Sequence, residues 1–192
     1  MPTMGRSFWR NEPPFLEQRD NQLVLRTGPE TDYWNNTFYG FRHDNGHFLA
    51  TEVTGDFTVE MTFSASYEQL YDQAGAMLWV DGDNWLKCGV EFTDGLLHFS
   101  VVVTRDDQSD WSVTPMEGEP ERAVTLRLTR HGEALRVQVL GDDGSWRLVR
   151  LCYLRMPETV EVGPMACSPT REGLEVTFRA FGIDDPIARD LH

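Results

Sequence analysis

The chain has 192 residues, 40% of them hydrophobic and 25% charged, the balance of a globular protein rather than a disordered or fibrous one. Its 17 basic and 31 acidic side chains leave a net charge of −14. That charge repels phosphate backbones and anionic lipid heads, so nucleic acid and membrane are not expected as partners.

Residues 1–14 lack the uninterrupted apolar segment of a secretory signal, so a cytoplasmic chain is expected. Thr31-Asp32-Tyr33-Trp34 and Tyr39-Gly40 then set large aromatics beside short polar groups, and Asp44-Asn45-Gly46 reads as a loop. From Phe57 to Ser64 the odd positions are apolar and the even ones polar, the pattern of a strand with one buried and one wet face. Tyr67-Glu68-Gln69-Leu70-Tyr71 amounts to at most one short helical turn, followed by Asp72-Gln73-Ala74-Gly75. Asp81-Gly82-Asp83-Asn84 is a further loop.

The acidic stretch Asp106, Asp107, Asp110, Glu117, Glu119 and Glu121 reads as a solvated loop, with Ser109-Asp110-Trp111-Ser112 another polar-aromatic cluster inside it. Alternation returns in Val124–Thr129 with even positions inward, then in Leu135, Val137 and Val139, and again in Leu174, Val176 and Phe178. Asp94-Gly95 and Asp143-Gly144 suit tight hairpin turns, and His131-Gly132 is a weaker case. About a dozen short strands at this spacing, without long helical periodicity, predict an all-β antiparallel sandwich. One domain over residues 1–192 is expected, with its core at about 20–183. Cys88, Cys152 and Cys167 are scattered and odd in number, which does not suit a disulfide framework, and Cys88 falls on an apolar strand face as an inert thiol.

The most informative stretch is a hairpin turning at Asp94-Gly95. A two-residue loop there pairs Phe92 with Leu97, Glu91 with His98, Gly89 with Ser100 and Lys87 with Val102. Leu86, Cys88, Val90 and Phe92 then share a core face with Leu97, Phe99, Val101 and Val103. The opposite face collects Trp85, Lys87, Gly89, Glu91, His98, Ser100 and Thr104. A slip of one residue would mix the sets, so the hydrophobic pattern itself supports this register. Gly89 leaves room over the sheet, and Trp85 offers a flat ring of the kind a sugar stacks on. The bland alternative is a solvent-facing sheet laced with opposite charges.

The segments Thr31–Trp34, Tyr39–His47, Gly55-Asp56-Phe57, Tyr71–Gly75, Trp85–Glu91, Val103-Thr104-Arg105 and Ser109–Ser112 resemble a family of uncharacterised concanavalin A-like lectin/glucanase sandwiches. This family includes a fungal protein named for regulating enolase. Val176–Phe181 is similar to the closing strand of laminin G-like and glucanase sandwiches, so the resemblance spans about Thr31 to Phe181, most of the chain. It implies the jelly-roll fold directly. A carbohydrate ligand follows only by analogy.

Three functions compete. A non-catalytic module would bind a carbohydrate or similar polyhydroxylated small molecule, with Trp34, Tyr39, Trp85 or Trp111 as platform. Asp72, Gln73, Lys87, Glu91 and His98 would supply its hydrogen bonds and charge. A glycan-cleaving hydrolase would use Glu91 and Asp72 as its acid and base. The Glu-x-Asp-x-Glu run of several glycosidases on this fold is replaced by Lys87-Cys88-Gly89-Val90-Glu91, which ranks hydrolysis second. The third function is regulatory partner of a metabolic enzyme, as the fungal relative's name suggests.

No cofactor is expected. His43 and His47 flank a turn, which suits metal ligation less well than a helix does. Calcium, common on loop carboxylates of such sandwiches, would draw on Asp81-Gly82-Asp83-Asn84 or Asp142-Asp143-Gly144. Neither completes an oxygen-rich binding loop, and turn chemistry explains both.

Overall fold

The computed structural model describes residues 1–119 and 121–191. Sixteen strands occur among them. The first half holds β1 (Thr3–Arg10), β2 (Phe15–Arg19), β3 (Gln22–Arg26), β4 (Tyr33–Asn35), β5 (Arg42–Asp44), β6 (His47–Thr54), β7 (Phe57–Ala65) and β8 (Gln73–Asp81). The second half holds β9 (Asn84–Thr93), β10 (Leu96–Arg105), β11 (Gln108–Pro115), β12 (Val124–His131), β13 (Ala134–Leu140), β14 (Trp146–Tyr153), β15 (Thr159–Cys167) and β16 (Glu175–Asp184).

They form two antiparallel seven-stranded sheets packed as a sandwich, the all-β architecture expected. The first runs β1-β6-β15-β8-β9-β10-β11 and the second β14-β13-β12-β7-β16-β3-β2, with β4-β5 a separate ribbon. The count exceeds the expected dozen because edge pieces such as β1 and β2 carry few apolar residues to betray them.

Alternation decides which side chains meet between the sheets. Phe57, Val59, Met61 and Phe63 of β7 are fully buried there, facing Leu86, Cys88, Val90, Phe99, Val101 and Val103 of the first sheet in one cluster. The turn at Asp94 (φ 54°) and Gly95 (φ 74°) has positive φ at both central residues, the geometry that matches strand twist. It sets the expected register: Phe92 pairs with Leu97, Glu91 with His98, Gly89 with Ser100 and Lys87 with Val102.

Part of the acidic stretch is not loop. Gln108–Pro115 forms the edge strand β11, where Asp110 meets Arg105 at 3.6 Å and Arg150 at 3.2 Å. Opposite-charge partners let an acidic segment pair as a strand.

The face of the first sheet turned away from the core is also not uniformly wet. After β3 the chain leaves the second sheet and lays β4 and β5 across this face. Asn35 N donates to Ser109 Oγ at 2.9 Å, and its side-chain amide donates to Gly82 O and Asp107 Oδ1. Tyr33 of this ribbon packs into a second apolar cluster with sheet residues Phe48, Ala50, Met77, Trp85, Val102, Met165 and Cys167. These residues sit at outward parity, and covering them removes their apolar surface from water.

Candidate functional site

Beside that second cluster, where the ribbon stands off the sheet, a cavity of about 490 Å³ opens. Its floor comes from Gln73 of β8, Lys87 and Glu91 of β9 and Val102 of β10. Strand pairing sets Gln73 directly opposite Glu91, and Lys87 opposite Val102. The walls are aromatic: Trp34, Tyr39, Phe41 and His43 from the ribbon, Tyr71 from the loop before β8, and Trp111 from β11. Tyr39 stacks on Phe41 with centroids 5.1 Å apart, and Trp34 meets Tyr39 edge-on at 5.8 Å. Tyr71 meets Trp111 edge-on at 6.3 Å. The neighbouring Tyr39 hydroxyl, foremost, and burial push the Tyr71 hydroxyl up to about 12.

Asp32, from the segment leading into β4, completes the floor. Its Oδ1 accepts from Lys87 Nζ at 2.8 Å, from Tyr33 N at 2.8 Å and from Gln73 Nε2 at 3.4 Å. Burial alone would lower the Lys87 pKa, but the nearby negative charges, Asp32 foremost, outweigh it and hold the ammonium above its ordinary value. Glu91 is the reverse case. Burial pushes its carboxyl upward, against the opposing pull of Lys87 and of the neighbouring Ser100 and Trp111 groups. The Trp111 indole N–H is shared between Glu91 Oε2 at 3.1 Å and Ser100 Oγ at 3.0 Å.

Six of the nine expected binding residues thus line one cavity: Trp34, Tyr39, Gln73, Lys87, Glu91 and Trp111. Three do not. Trp85 is 1% exposed and packs edge-on against Tyr33 within the second cluster, so it offers no open platform. His98 is buried beside Glu91 across the strand pair, with Nδ1 3.2 Å from its neighbour Leu96 O, and does not reach the cavity.

Asp72 is wholly buried and consumed by structural bonds. Its carboxylate accepts from Arg171 Nη2 at 2.6 Å, from Arg171 Nε at 3.0 Å, and from Glu68 N and Gln69 N at 2.9 and 3.0 Å. It is corrected from acid–base candidate to anchor of the loop that presents Tyr71. A carboxylate saturated by an arginine fork has no lone pair directed at a substrate.

Gly89 also differs from expectation. A Cβ on it would lie 2.1 Å from Ala74 O and 2.6 Å from the Cα of its partner Gly75. The glycine pair permits close backbone approach under the floor, and open room over the sheet is not its main effect.

Residues 28–46 carried no strand expectation, and they supply four of the six wall residues, Trp34, Tyr39, Phe41 and His43. Glu30, Asp32, Phe41, His43 and Tyr71 line the cavity without having been singled out for it. The available clue was the set of apolar residues Met77, Val102 and Met165 at outward parity, which requires a cover.

The carboxylates considered for calcium serve turns. Asp81 Oδ1 accepts from Asp83 N and Asn84 Nδ2 at 2.9 and 3.0 Å, and Asp143 Oδ1 from Ser145 N at 3.0 Å. His47 is held as a structural histidine: Nε2 accepts from Gly28 N at 2.9 Å, and Nδ1 lies 2.6 Å from Asn11 O.

A family model described as "Protein of unknown function (DUF1349)" matches residues 9–186. "Regulation of enolase protein 1" of Saccharomyces cerevisiae is 42% identical over 189 residues, covering 98% of this chain and 94% of that protein. The crystal structure of a functionally unknown protein from Saccharomyces cerevisiae superposes with a TM-score of 0.89 at 42% identity, covering 95% of this chain and 97% of that one. A xylan beta-1,4-xylosidase from Bacillus halodurans C-125 matches with a TM-score of 0.68 at 16% identity, covering 91% of this chain but 35% of that enzyme. At that identity the likeness concerns the fold alone.

Proposed function

The chain belongs to the DUF1349 family of proteins of unknown function, and we propose that it is a non-catalytic module that binds a polyhydroxylated small molecule of the carbohydrate type. The observation that supports this most is the pairing of aromatic walls with a polar floor in one cavity of about 490 Å³, large enough for one or two sugar rings. Rings contribute stacking area, while Gln73, Lys87 and Glu91 present hydrogen-bonding groups held in place by strand pairing.

Hydrolysis is the weaker reading. It loses Asp72, and the carboxylate that joins Glu91 at the floor is Asp32, whose Oδ1 is bound to Lys87. The link to a metabolic enzyme rests on the name of the yeast relative. Phe38, 93% exposed at the tip of the ribbon beside the cavity mouth, is the surface feature that favours such contact.

Calorimetric titration with a panel of mono- and disaccharides tests the leading reading. A binder should emerge whose affinity drops about tenfold when Trp111 is replaced by Ala, the scale of one lost stacking contact. No binder across the panel, or a binder indifferent to Trp111→Ala and Gln73→Ala, overturns it. Capture of a metabolic enzyme by wild-type protein but not by Phe38→Ser would favour the partner reading instead.

A further inference from the structure

The charge and bonding state of the cavity carries the reading further, to the kind of sugar. Three carboxylates line it, Glu30, Asp32 and Glu91, against one lysine, Lys87. That lysine is already engaged with Asp32 Oδ1. Among the described residues, Glu91 Oε1 and Asp32 Oδ2 accept no hydrogen bond; all the bonds to these two carboxylates fall on their other oxygens. Two carboxylate oxygens at a largely buried floor therefore lack a donor, and five aromatic rings, Trp34, Tyr39, Phe41, Tyr71 and Trp111, stand around them.

A neutral sugar entering this space can donate hydroxyl hydrogens to those oxygens but leaves the excess negative charge uncompensated in a partly desolvated pocket. An anionic ligand would add repulsion from Glu30, Asp32 and Glu91, within a chain of net charge −14. A protonated amine removes both problems. It donates to the vacant oxygens, cancels the excess charge and gains attraction from aromatic faces.

We propose that the cavity selects an amino sugar, a polyhydroxylated ring carrying a protonated amine, with Glu91 and Asp32 receiving the ammonium between the aromatic walls. This rests on the carbohydrate reading above and deepens it. The rise in the Glu91 pKa from burial agrees: the carboxylate lacks sufficient countercharge until a cation arrives.

The test is calorimetric titration of the full chain at pH 7 with glucosamine, galactosamine and mannosamine, each against its parent sugar, its N-acetyl form and the corresponding uronic acid. At least one amino sugar should bind about tenfold more tightly than its neutral counterparts, and the uronic acids should bind more weakly still. Glu91→Gln should erase the amine preference, bringing amino-sugar affinity down to that of the neutral sugars measured with the same variant. Glu30→Gln, at an exposed position that leaves the fold undisturbed, should reduce the preference by a smaller factor.

Neutral sugars binding as well as amino sugars would overturn the amine assignment and leave the carbohydrate reading standing. So would an amine preference unmoved by Glu91→Gln. If no sugar binds in any arm, both fall. Tetramethylammonium binding in that case would show an organic-cation pocket without sugar specificity, which also overturns the proposal.

Discussion

Lys87 Nζ lies 2.8 Å from Asp32 Oδ1, with the two side chains 5% and 17% exposed, so one buried ion pair ties the floor strand β9 to the segment that covers it. Removing one partner leaves the other charge uncompensated. Lys87→Met should therefore destabilise the fold by roughly 3 kcal/mol, at the lower end for buried pairs because Asp32 keeps some contact with solvent. The double variant Lys87→Met/Asp32→Asn should recover most of that loss. Equilibrium urea unfolding of the two singles and the double measures the coupling, and additive losses would contradict a dedicated pair.

Glu91 makes a different prediction because its charge is only partly compensated. Its folded pKa lies above the ordinary 4.5, so the native state binds more protons than the unfolded state between those two values. Stability contributed by this group is therefore greatest at low pH and falls as pH rises through that window. Glu91→Gln should be more stable than wild type at neutral pH, with an advantage that grows from about pH 4.5 upward and then levels off. Melting temperatures of both proteins across pH 4–8 test the sign.

His47 acts in the opposite direction. Burial depresses its pKa below the ordinary 6.5, and Nε2 must stay unprotonated to accept from Gly28 N. The unfolded chain takes up a proton more readily, so stability is lost as pH falls below 6.5. His47→Gln can accept and donate at similar positions without titrating. It should flatten the acid limb of the stability profile, and a limb unchanged in slope would exclude His47 as its source.

Asp72 and Gly89 test the support beneath the cavity. Asp72→Asn weakens the pair between wholly buried Asp72 and partly exposed Arg171, and a loss of about 3 kcal/mol is expected. It should also shift Tyr71, seen as altered tyrosine fluorescence or a changed Tyr71 side-chain resonance, because Asp72 N and O and Tyr71 N hold that loop to Gln69 and Phe92.

Gly89→Ala places a Cβ 2.1 Å from Ala74 O, a backbone atom with little freedom to yield. Overpacking of this kind should cost about 1–3 kcal/mol. A Gly89→Ala protein as stable as wild type would mean that β8 and β9 can separate without penalty.

Much of the architecture was legible before any coordinates. The alternation in β7, β12 and β13 and the Asp94-Gly95 turn each depend on neighbours within a few residues, and such local periodicity survives as a pattern in the chain. The placement of Lys87 and Glu91 on one face of one sheet followed from the same parity. Trp85 and His98 miss the cavity because parity says which way a side chain points but not what lies on top of it; Asp72 was read from its polar-aromatic cluster, which does not show that Arg171 holds it.

The amino-acid sequence by itself determined a two-faced antiparallel sandwich, its core parity and the register of the central hairpin, because side-chain period and turn chemistry are short-range. Only the tertiary structure decided that residues 28–46 fold over the outer face, seal Trp85 against Tyr33, bring Asp32 to Lys87 and leave a cavity beside them. Those contacts join segments 52 to 55 positions apart, and burial and ion pairing across such distances leave no periodic mark along the chain.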